Sequence, residues 1–254
     1  MEDKSMTKRI FKYEVTVLMS VYWGDMDKEK AERYLRRAIK SILDQTYKLF
    51  VMIIVIDDPE NQEKITEIIK SFKSYRIDAF ANDENIGVTH SLNRALHLIE
   101  SRYIMRQDMD DYSDPQRLAK QLSVMENDKT IGAIGDNYAV VDEKGHKLAT
   151  NAADPEKLSQ DRLAGSIAGG GTMVRTEVVK EIGGWKYQYA QDFYMWVKMR
   201  QAGHKVVSLK ETVYFYTQHK DQISVAKRNA QKECHQKIER EICNGINNSS
   251  NKKQ

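Results

Sequence analysis

Four short apolar runs in the first half of this chain, separated by amphipathic stretches, restrict its possible folds more than any other feature. Glu14 to Tyr22 reads EVTVLMSVY and Phe50 to Ile56 reads FVMIIVI. Runs so continuously apolar predict strands buried on both faces, as in a parallel sheet. From about Lys28 to Gln45, the residues Ala31, Tyr34, Leu35, Ala38, Ile39, Ile42 and Leu43 recur at intervals of three and four. That is the stripe of a helix laid on a core. Ile65, Ile68, Ile69 and Phe72 mark a second helix, and Tyr75 to Phe80 a third strand. Leu92, Ala95, Leu96 and Ile99 mark a helix after Gly87, and Tyr103 to Gln107 a fourth strand. Alternation of this kind predicts an α/β fold: a mostly parallel central sheet with right-handed crossovers and helices on both faces.

In such sheets ligands bind beyond the carboxyl ends of the strands. The second run ends at Asp57-Asp58 and the fourth leads into Asp108-Met109-Asp110-Asp111. Two acidic clusters therefore converge on one edge. The usual phosphate-binding signatures are missing. No G-x-G-x-x-G follows the first strand, and no G-x-x-x-x-G-K-[ST] occurs. Phosphate charge would then be met by a divalent cation. Mg²⁺ or Mn²⁺ takes one or two carboxylates and fills its shell with diphosphate oxygens and water. An isolated Asp-x-Asp is more often a solvated turn; its place at a strand end distinguishes this one.

The second half is mixed. Ile131 to Gly135 and Tyr138 to Val141 predict strands, followed by a turn at Glu143-Lys144-Gly145. Asp154 to Leu163 predicts a helix, and Thr172 to Val174 a short strand after Gly169-Gly170-Gly171. A helix is expected from Gln191 to Gln201, then strands at Lys205 to Ser208 and Thr212 to Tyr216. Without a Pro/Ser-rich linker or repeat, residues 1–224 are expected to form one domain and 225–254 a basic helical tail.

At 41% hydrophobic and 30% charged residues the chain is globular, not disordered. Its two cysteines, Cys234 and Cys243, exclude a disulfide framework and a cysteine-based zinc site. A reducing, cytoplasmic compartment is expected. A net charge of +3 is too balanced for a nucleic-acid binder. No run approaches the roughly 20 apolar residues that span a bilayer, and the first ten residues lack the apolar stretch of a secretion signal. Residues 226–254, however, hold seven Lys/Arg against three Glu. That excess suggests peripheral contact with the inner face of a membrane.

Several segments, in order, carry a resemblance. They are Val17 to Tyr22, Ala38 to Tyr47, Ile53 to Asp58, Asn85-Ile86-Gly87, Leu92-Asn93-Arg94-Ala95, Tyr103 to Asp111 and Pro115 to Leu118. Gly183-Gly184-Trp185, Gln191-Asp192 with Trp196, and Tyr216 with His219 and Ser224 complete the set. Across about residues 14–224 the sequence resembles family 2 glycosyltransferases of the GT-A fold, and especially bacterial enzymes of O-antigen and surface-polysaccharide synthesis. The resemblance implies a nucleotide-binding half over about 14–112 and an acceptor-side half over about 113–224. It implies inverting transfer from a nucleotide sugar, most simply a UDP-sugar, to a glycan or polyprenyl-diphosphate-linked acceptor, with Mn²⁺ or Mg²⁺ as cofactor.

It also implies roles. Ser20 and Tyr22 would line the nucleotide base, and one of Asp57 and Asp58 would hydrogen-bond the uracil or ribose. Asn85 and Gly87 would join the nucleotide-sugar contacts. Asp108 and Asp110 would form the metal and diphosphate motif, with Asp110 the direct ligand and His219 approaching it. Asp192 would be the general base, with Gly170, Gly171, Trp185 and Gln191 on the acceptor side. The chain departs from the family pattern in three places: Asp57-Asp58-Pro59-Glu60 replaces Asp-Asp-Gly-Ser, Gln191-Asp192 replaces Glu-Asp, and Gly169-Gly170-Gly171 stands where many relatives carry a His. Two other classes remain. A sugar-nucleotidyltransferase needs a glycine-rich, Arg-containing loop after the first strand, and Ser20 to Asp25 is not one. Against a non-catalytic carbohydrate-binding module on the same fold stand Asp108, Asp110 and Asp192.

Overall fold

Strands apolar on both faces can be satisfied only inside a sheet covered on both sides. The computed structural model describes residues 13–153 and 167–250 and has this arrangement. β1 (Val15–Val21) lies between β2 (Phe50–Ile56) and β4 (Tyr103–Arg106), parallel to both. β3 (Ile77–Ala81) extends the sheet beyond β2. On the other side come β9 (Met173–Arg175), β6 (Ile131–Asp136) and β10 (Lys205–Leu209). β9 is antiparallel to both its neighbours, and the other pairs are parallel. The parallel strands therefore end at one edge, which collects the residues following β1, β2, β4 and β6.

Alternation along β1 divides the core. Val15, Val17, Met19 and Val21 face α1 (Lys28–Leu43), α2 (Gln62–Ser71) and α4 (Arg117–Asn127). Leu18 faces α3 (Val88–Leu96), α5 (Thr176–Glu181) and α6 (Gln191–Gln201). Thr16 is the polar exception inside β1, and its hydroxyl is satisfied by Ser101 Oγ at 2.8 Å. A second sheet has the order β5 (Tyr112–Ser113), β11 (Tyr214–Thr217), β7 (Tyr138–Val141), β8 (Lys147–Asn151).

The third strand begins two residues later than expected, because Tyr75 and Arg76 belong to the preceding turn and Tyr75 is 64% exposed. Helix α4 was not foreseen, although Leu118, Leu122 and Met125 carry its buried stripe. Strand β8 is exposed throughout and has no apolar signature; pairing with β7 makes it a strand. The helix expected at Asp154 to Leu163 lies outside the described residues. The expected tail is helical, as α7 (Ile223–Ala226) and α8 (Arg228–Ser250). Among the described residues no helix is long and apolar enough to cross a membrane.

Candidate active site

The acidic loop after β4 is held by charge at its base. Arg106, the last residue of β4, is 5% exposed, and its Nη2 donates to Asp108 Oδ1 at 2.7 Å. Strand β11 then brings a distant segment onto the loop by pairing antiparallel with β5, Tyr214 opposite Ser113 and Phe215 opposite Tyr112. Asp111 is 1% exposed and accepts from Tyr214 Oη at 2.6 Å and Thr217 N at 2.7 Å. His219, two residues past the strand, puts Nε2 2.9 Å from Asp110 Oδ2. From α1, Arg37 Nη2 donates to the Asp110 carbonyl at 2.8 Å and to Thr217 Oγ1 at 2.7 Å.

The Gly169–Gly171 turn lies between Asp108 and Asp192. A Cβ on Gly169 would stand 3.0 Å from Asp192 Cβ and 3.1 Å from its Oδ2. A Cβ on Gly170 would stand 2.2 Å from Tyr214 Oη and 2.3 Å from Asp108 Oδ2. Gly171 has Tyr214 and Asp136 at 3.1 and 3.2 Å from the same built position. The bare backbone of this turn thus already admits the protein's own carboxylates. Gly170→Ala would have to displace Asp108 or Tyr214. It is expected to cost about 1–3 kcal/mol of stability and, since an ångström of misplacement costs about a hundredfold, a similar factor in rate. Melting temperature and transfer rate on one sample check this; a variant with wild-type rate would show that the turn has slack.

Under this turn lies Arg117, fully buried in the first turn of α4. It donates to the carbonyls of Arg106, Gly170 and Thr172 and to Gln107 Oε1 and Ser113 Oγ, at 2.8 to 3.3 Å. Its guanidinium stacks on the Tyr214 ring at 4.8 Å. Asp136, at the end of β6, accepts from Val213 N and Tyr214 N at 2.8 Å each, fixing the start of β11. Sequence reasoning gave Arg106, Arg117, Asp136 and Tyr214 no role. The available signal was a charged residue closing each of two apolar strands, and an arginine heading an apolar helix stripe.

Electrostatically, Asp108 and Asp111 are pushed toward neutrality. Burial pushes the Asp108 carboxyl above its usual range; Arg106 opposes the shift, and the charges of Asp110 and Asp192 add to it. Asp111 is raised further, by burial first and then by Asp110 and Asp108. Such a cluster calls for a positive counter-charge. Among the described residues no three of His, Cys, Asp and Glu stand together as a metal cage. The donors that fit a cation are the Asp110 carboxylate, with its side chain 23% exposed, and His219 Nε2. Ligands about 2.1 Å from an octahedral ion lie roughly 3 Å apart when adjacent, which matches their 2.9 Å separation. Asp108, whose Oδ1 is bonded to Arg106, keeps a side chain 41% exposed beside them.

On the nucleotide side, Tyr22 is 53% exposed and lies over the turn at Gly24, whose φ of +53° and missing Cβ leave room for the ring. Ser20 is half-buried at the end of β1. Asp57 and Asp58 are 1% and 2% exposed and turned to protein partners. Asp57 accepts from Asn82 Nδ2 at 2.7 Å and from Ile86 N and Gly87 N at 2.9 Å, anchoring the start of α3. Asp58 accepts from Trp23 N at 2.8 Å and Asn61 Nδ2 at 3.0 Å, holding the turn after β1. Pro59 takes the first position of a single 3₁₀ turn, Pro59–Asn61, where its missing N–H costs nothing. Asn85 is exposed, and Gly87 has a φ of +84°.

On the acceptor side, Trp185 is 6% exposed and packs in the core with Leu96 and Met195, so its ring presents no open face. Its backbone is gripped by Asn93 of α3, which donates from Nδ2 to Trp185 O at 2.7 Å and accepts from Trp185 N at 2.9 Å. Thr89 Oγ1 donates to Tyr187 O at 2.5 Å. The loop then passes through Tyr187 and Ala190, both with positive φ, into α6, where Gln191 and Asp192 are half-buried. Asp192 Oδ1 accepts from Phe193 N at 2.9 Å, and Oδ2 has no hydrogen-bond partner among the described residues. Asn93→Ala strips two backbone groups of partners, and each buried orphan costs about 1–3 kcal/mol. Urea unfolding should show a loss of about 2 kcal/mol or more, and a smaller change would mean that water replaces the side chain.

Known proteins resemble this chain in sequence and in fold. The model of "Glycosyl transferase family 2" matches residues 27–183. An uncharacterized glycosyltransferase of Methanocaldococcus jannaschii is 31% identical over 214 residues, covering 80% of this chain and 70% of that protein. An Escherichia coli enzyme named UDP-Glc:alpha-D-GlcNAc-diphosphoundecaprenol beta-1,3-glucosyltransferase is 26% identical over 191 residues, covering 74% of each chain. Among solved structures, Staphylococcus aureus TarS 1-349 in complex with UDP-GlcNAc superposes with a TM-score of 0.66 at 17% identity, over 82% of this chain and 60% of that one. A Pyrobaculum calidifontis mannosyltransferase in complex with GDP-Man and Mn²⁺ gives 0.65 at 13% identity, over 89% of this chain and 63% of that one. The two solved likenesses establish the architecture, the family match covers more than half of the sequence, and the chain accordingly belongs to glycosyl transferase family 2, as a glycosyltransferase with the GT-A fold.

Proposed function

We propose that the protein transfers a sugar from a nucleotide donor, a UDP-sugar, to a glycan acceptor carried on a lipid diphosphate, in the assembly of a bacterial surface polysaccharide, and that it inverts the anomeric centre. The observation that carries this is the placing of Asp192 and Asp108 on opposite sides of one glycine turn, with Asp192 Oδ2 unspent. Supporting the donor and acceptor classes are the named activity of the E. coli relative and the nucleotide sugar in the TarS structure.

In this reading an acceptor hydroxyl attacks the anomeric carbon. The new C–O bond forms as the bond to the donor phosphate breaks, and its electron pair leaves with the diphosphate. Asp192 Oδ2 takes the hydroxyl proton. The first turn of α6 supports the carboxylate through the Phe193 N–H and the helix dipole. Arg106 and Arg117 hold Asp108 and the glycine turn so that donor and base share one geometry. Asp110 and His219 would hold a divalent cation, which when bound stabilises charge building on the diphosphate.

The test is a panel of nucleotide sugars, with and without Mn²⁺, read by thermal stabilisation. A ligand at a hundred times its dissociation constant adds about 2.7 kcal/mol. UDP-sugars should stabilise with metal and be slowly hydrolysed to UDP. Stabilisation by none of the panel would defeat the reading.

A further inference from the structure

The positive excess of residues 226–254 first suggests a basic helix lying on lipid, but the structure distributes that charge differently. Helix α8 is committed to the body. Ile238 is 1% exposed and packs with Ala190, Phe193 and Val197, next to the start of α6. His235 stacks on Phe193 with ring centroids 4.5 Å apart, and Cys234 Sγ donates to Tyr189 O at 2.8 Å. Over residues 229–241 its three cations, Lys232, Lys237 and Arg240, are balanced by Glu233, Glu239 and Glu241. Described α8 is thus neutral over this stretch, with its apolar side already used. Lys252 and Lys253 lie outside the described residues.

Among the described residues, the uncompensated charge sits before the helix and at its first residue. Lys220, Lys227 and Arg228 are exposed and make no ion pair among the described residues. Between them, Ile223 and Val225 are 51% and 49% exposed, apolar side chains standing in water beside cations. The same segment is tied firmly to the acidic loop. His219 reaches Asp110, Gln222 Oε1 accepts from His219 N at 2.7 Å, and Tyr216 Oη pairs with Ser224 Oγ at 2.6 Å. Lys30 clamps it from α1 by pairing with Asp221 at 3.2 Å and with Glu143 at 2.5 Å.

We propose that residues 220–228 form a membrane-seating ridge, in which Ile223 and Val225 enter the headgroup boundary of an anionic bilayer while Lys220, Lys227 and Arg228 engage its phosphates. Apolar side chains flanked by basic ones suit this boundary, and anionic lipid attracts each nearby Lys or Arg. The ridge starts next to His219, so seating it would bring the catalytic edge to the surface that holds a lipid-linked acceptor. The benefit to transfer rests on the acceptor reading above; the lipid contact itself does not.

The experiment is co-sedimentation of the full chain with phosphatidylcholine vesicles, with and without phosphatidylglycerol. Wild type should bind the anionic vesicles and be released by salt. Ile223→Ser/Val225→Ser should weaken binding at least about tenfold. Lys227→Gln/Arg228→Gln should weaken it by roughly tenfold or more, at about fivefold for each charge. Lys232→Gln/Lys237→Gln on α8 should change it less than threefold. Circular dichroism should be unchanged in all three, since every substituted side chain is exposed. The ridge is refuted if wild type ignores anionic vesicles, if the α8 variant loses as much as the ridge variants, or if the ridge variants abolish self-association while vesicle binding persists. If vesicles bind as expected but no lipid-linked acceptor is glycosylated, the acceptor reading fails and the ridge stands.

Discussion

Asp192→Asn is expected to lower sugar transfer by about 10²–10⁴-fold, the usual contribution of a general base, while donor affinity stays within about threefold of wild type. Asparagine keeps Oδ1 and with it the acceptor for the Phe193 N–H. The structural loss is confined to the charge in the first turn of α6, worth about 0.3–1 kcal/mol. A residue that merely supports the helix would therefore leave the rate nearly intact. What asparagine cannot do is accept a proton at the position of Oδ2. Transfer rate and donor affinity measured on the same folded sample separate the two roles. Retention of more than about a tenth of the rate, a smaller loss than general-base removal gives, would disqualify Asp192 and return attention to the carboxylates of the Asp108–Asp111 loop.

The second large effect is expected at Asp110. The cations around the acidic loop are engaged by the protein: Arg106 by Asp108, Arg117 by carbonyls beneath the glycine turn, Arg37 by Asp110 O and Thr217, Lys30 by Glu143 and Asp221. A diphosphate arriving at this edge meets carboxylates and needs an added counter-charge. EDTA is therefore expected to abolish transfer, and Mn²⁺ or Mg²⁺ to restore it. Asp110→Asn preserves the size of the side chain and a hydrogen bond to His219 but removes the charge that would hold the ion. Its transfer rate should fall at least about 10²–10³-fold, the range for losing one electrostatic stabiliser, with an unchanged melting temperature. Full activity in a chelated sample would show that the enzyme meets phosphate charge without a metal.

Both predictions concern carboxylates visible in the sequence, yet their partners were not. Asp108 to Asp111 stood out because they follow a strand, and strand ends are local features. That Asp111 would be buried under Tyr214 and Thr217, more than a hundred residues away, depended on β11 pairing with a two-residue strand, β5. Two residues carry no periodicity. Asp57 and Asp58 were equally legible as acids at a strand end, but not their engagement with Ile86, Gly87, Trp23 and Asn61. Trp185 follows the same lesson: its place after a double glycine marked a turn, and only packing against Leu96 and Met195 made it core.

The sequence by itself determined the parallel strands of the central sheet, the crossover helices between them and the edge where acids gather. Hydrophobic periodicity and strand continuity are written in neighbouring residues and need no knowledge of the rest of the chain. The tertiary structure decided how those acids divide their work. It set Asp110 against His219, Asp108 against Arg106, and Asp192 across a turn in which Gly170 has no room for a methyl group. It also located the free positive charge of the described residues before helix α8 and at its first residue, not along its length. These are matters of which side chains meet across long sequence separations, and they are settled by packing and by the cost of leaving a buried charge unpaired, neither of which leaves a local pattern.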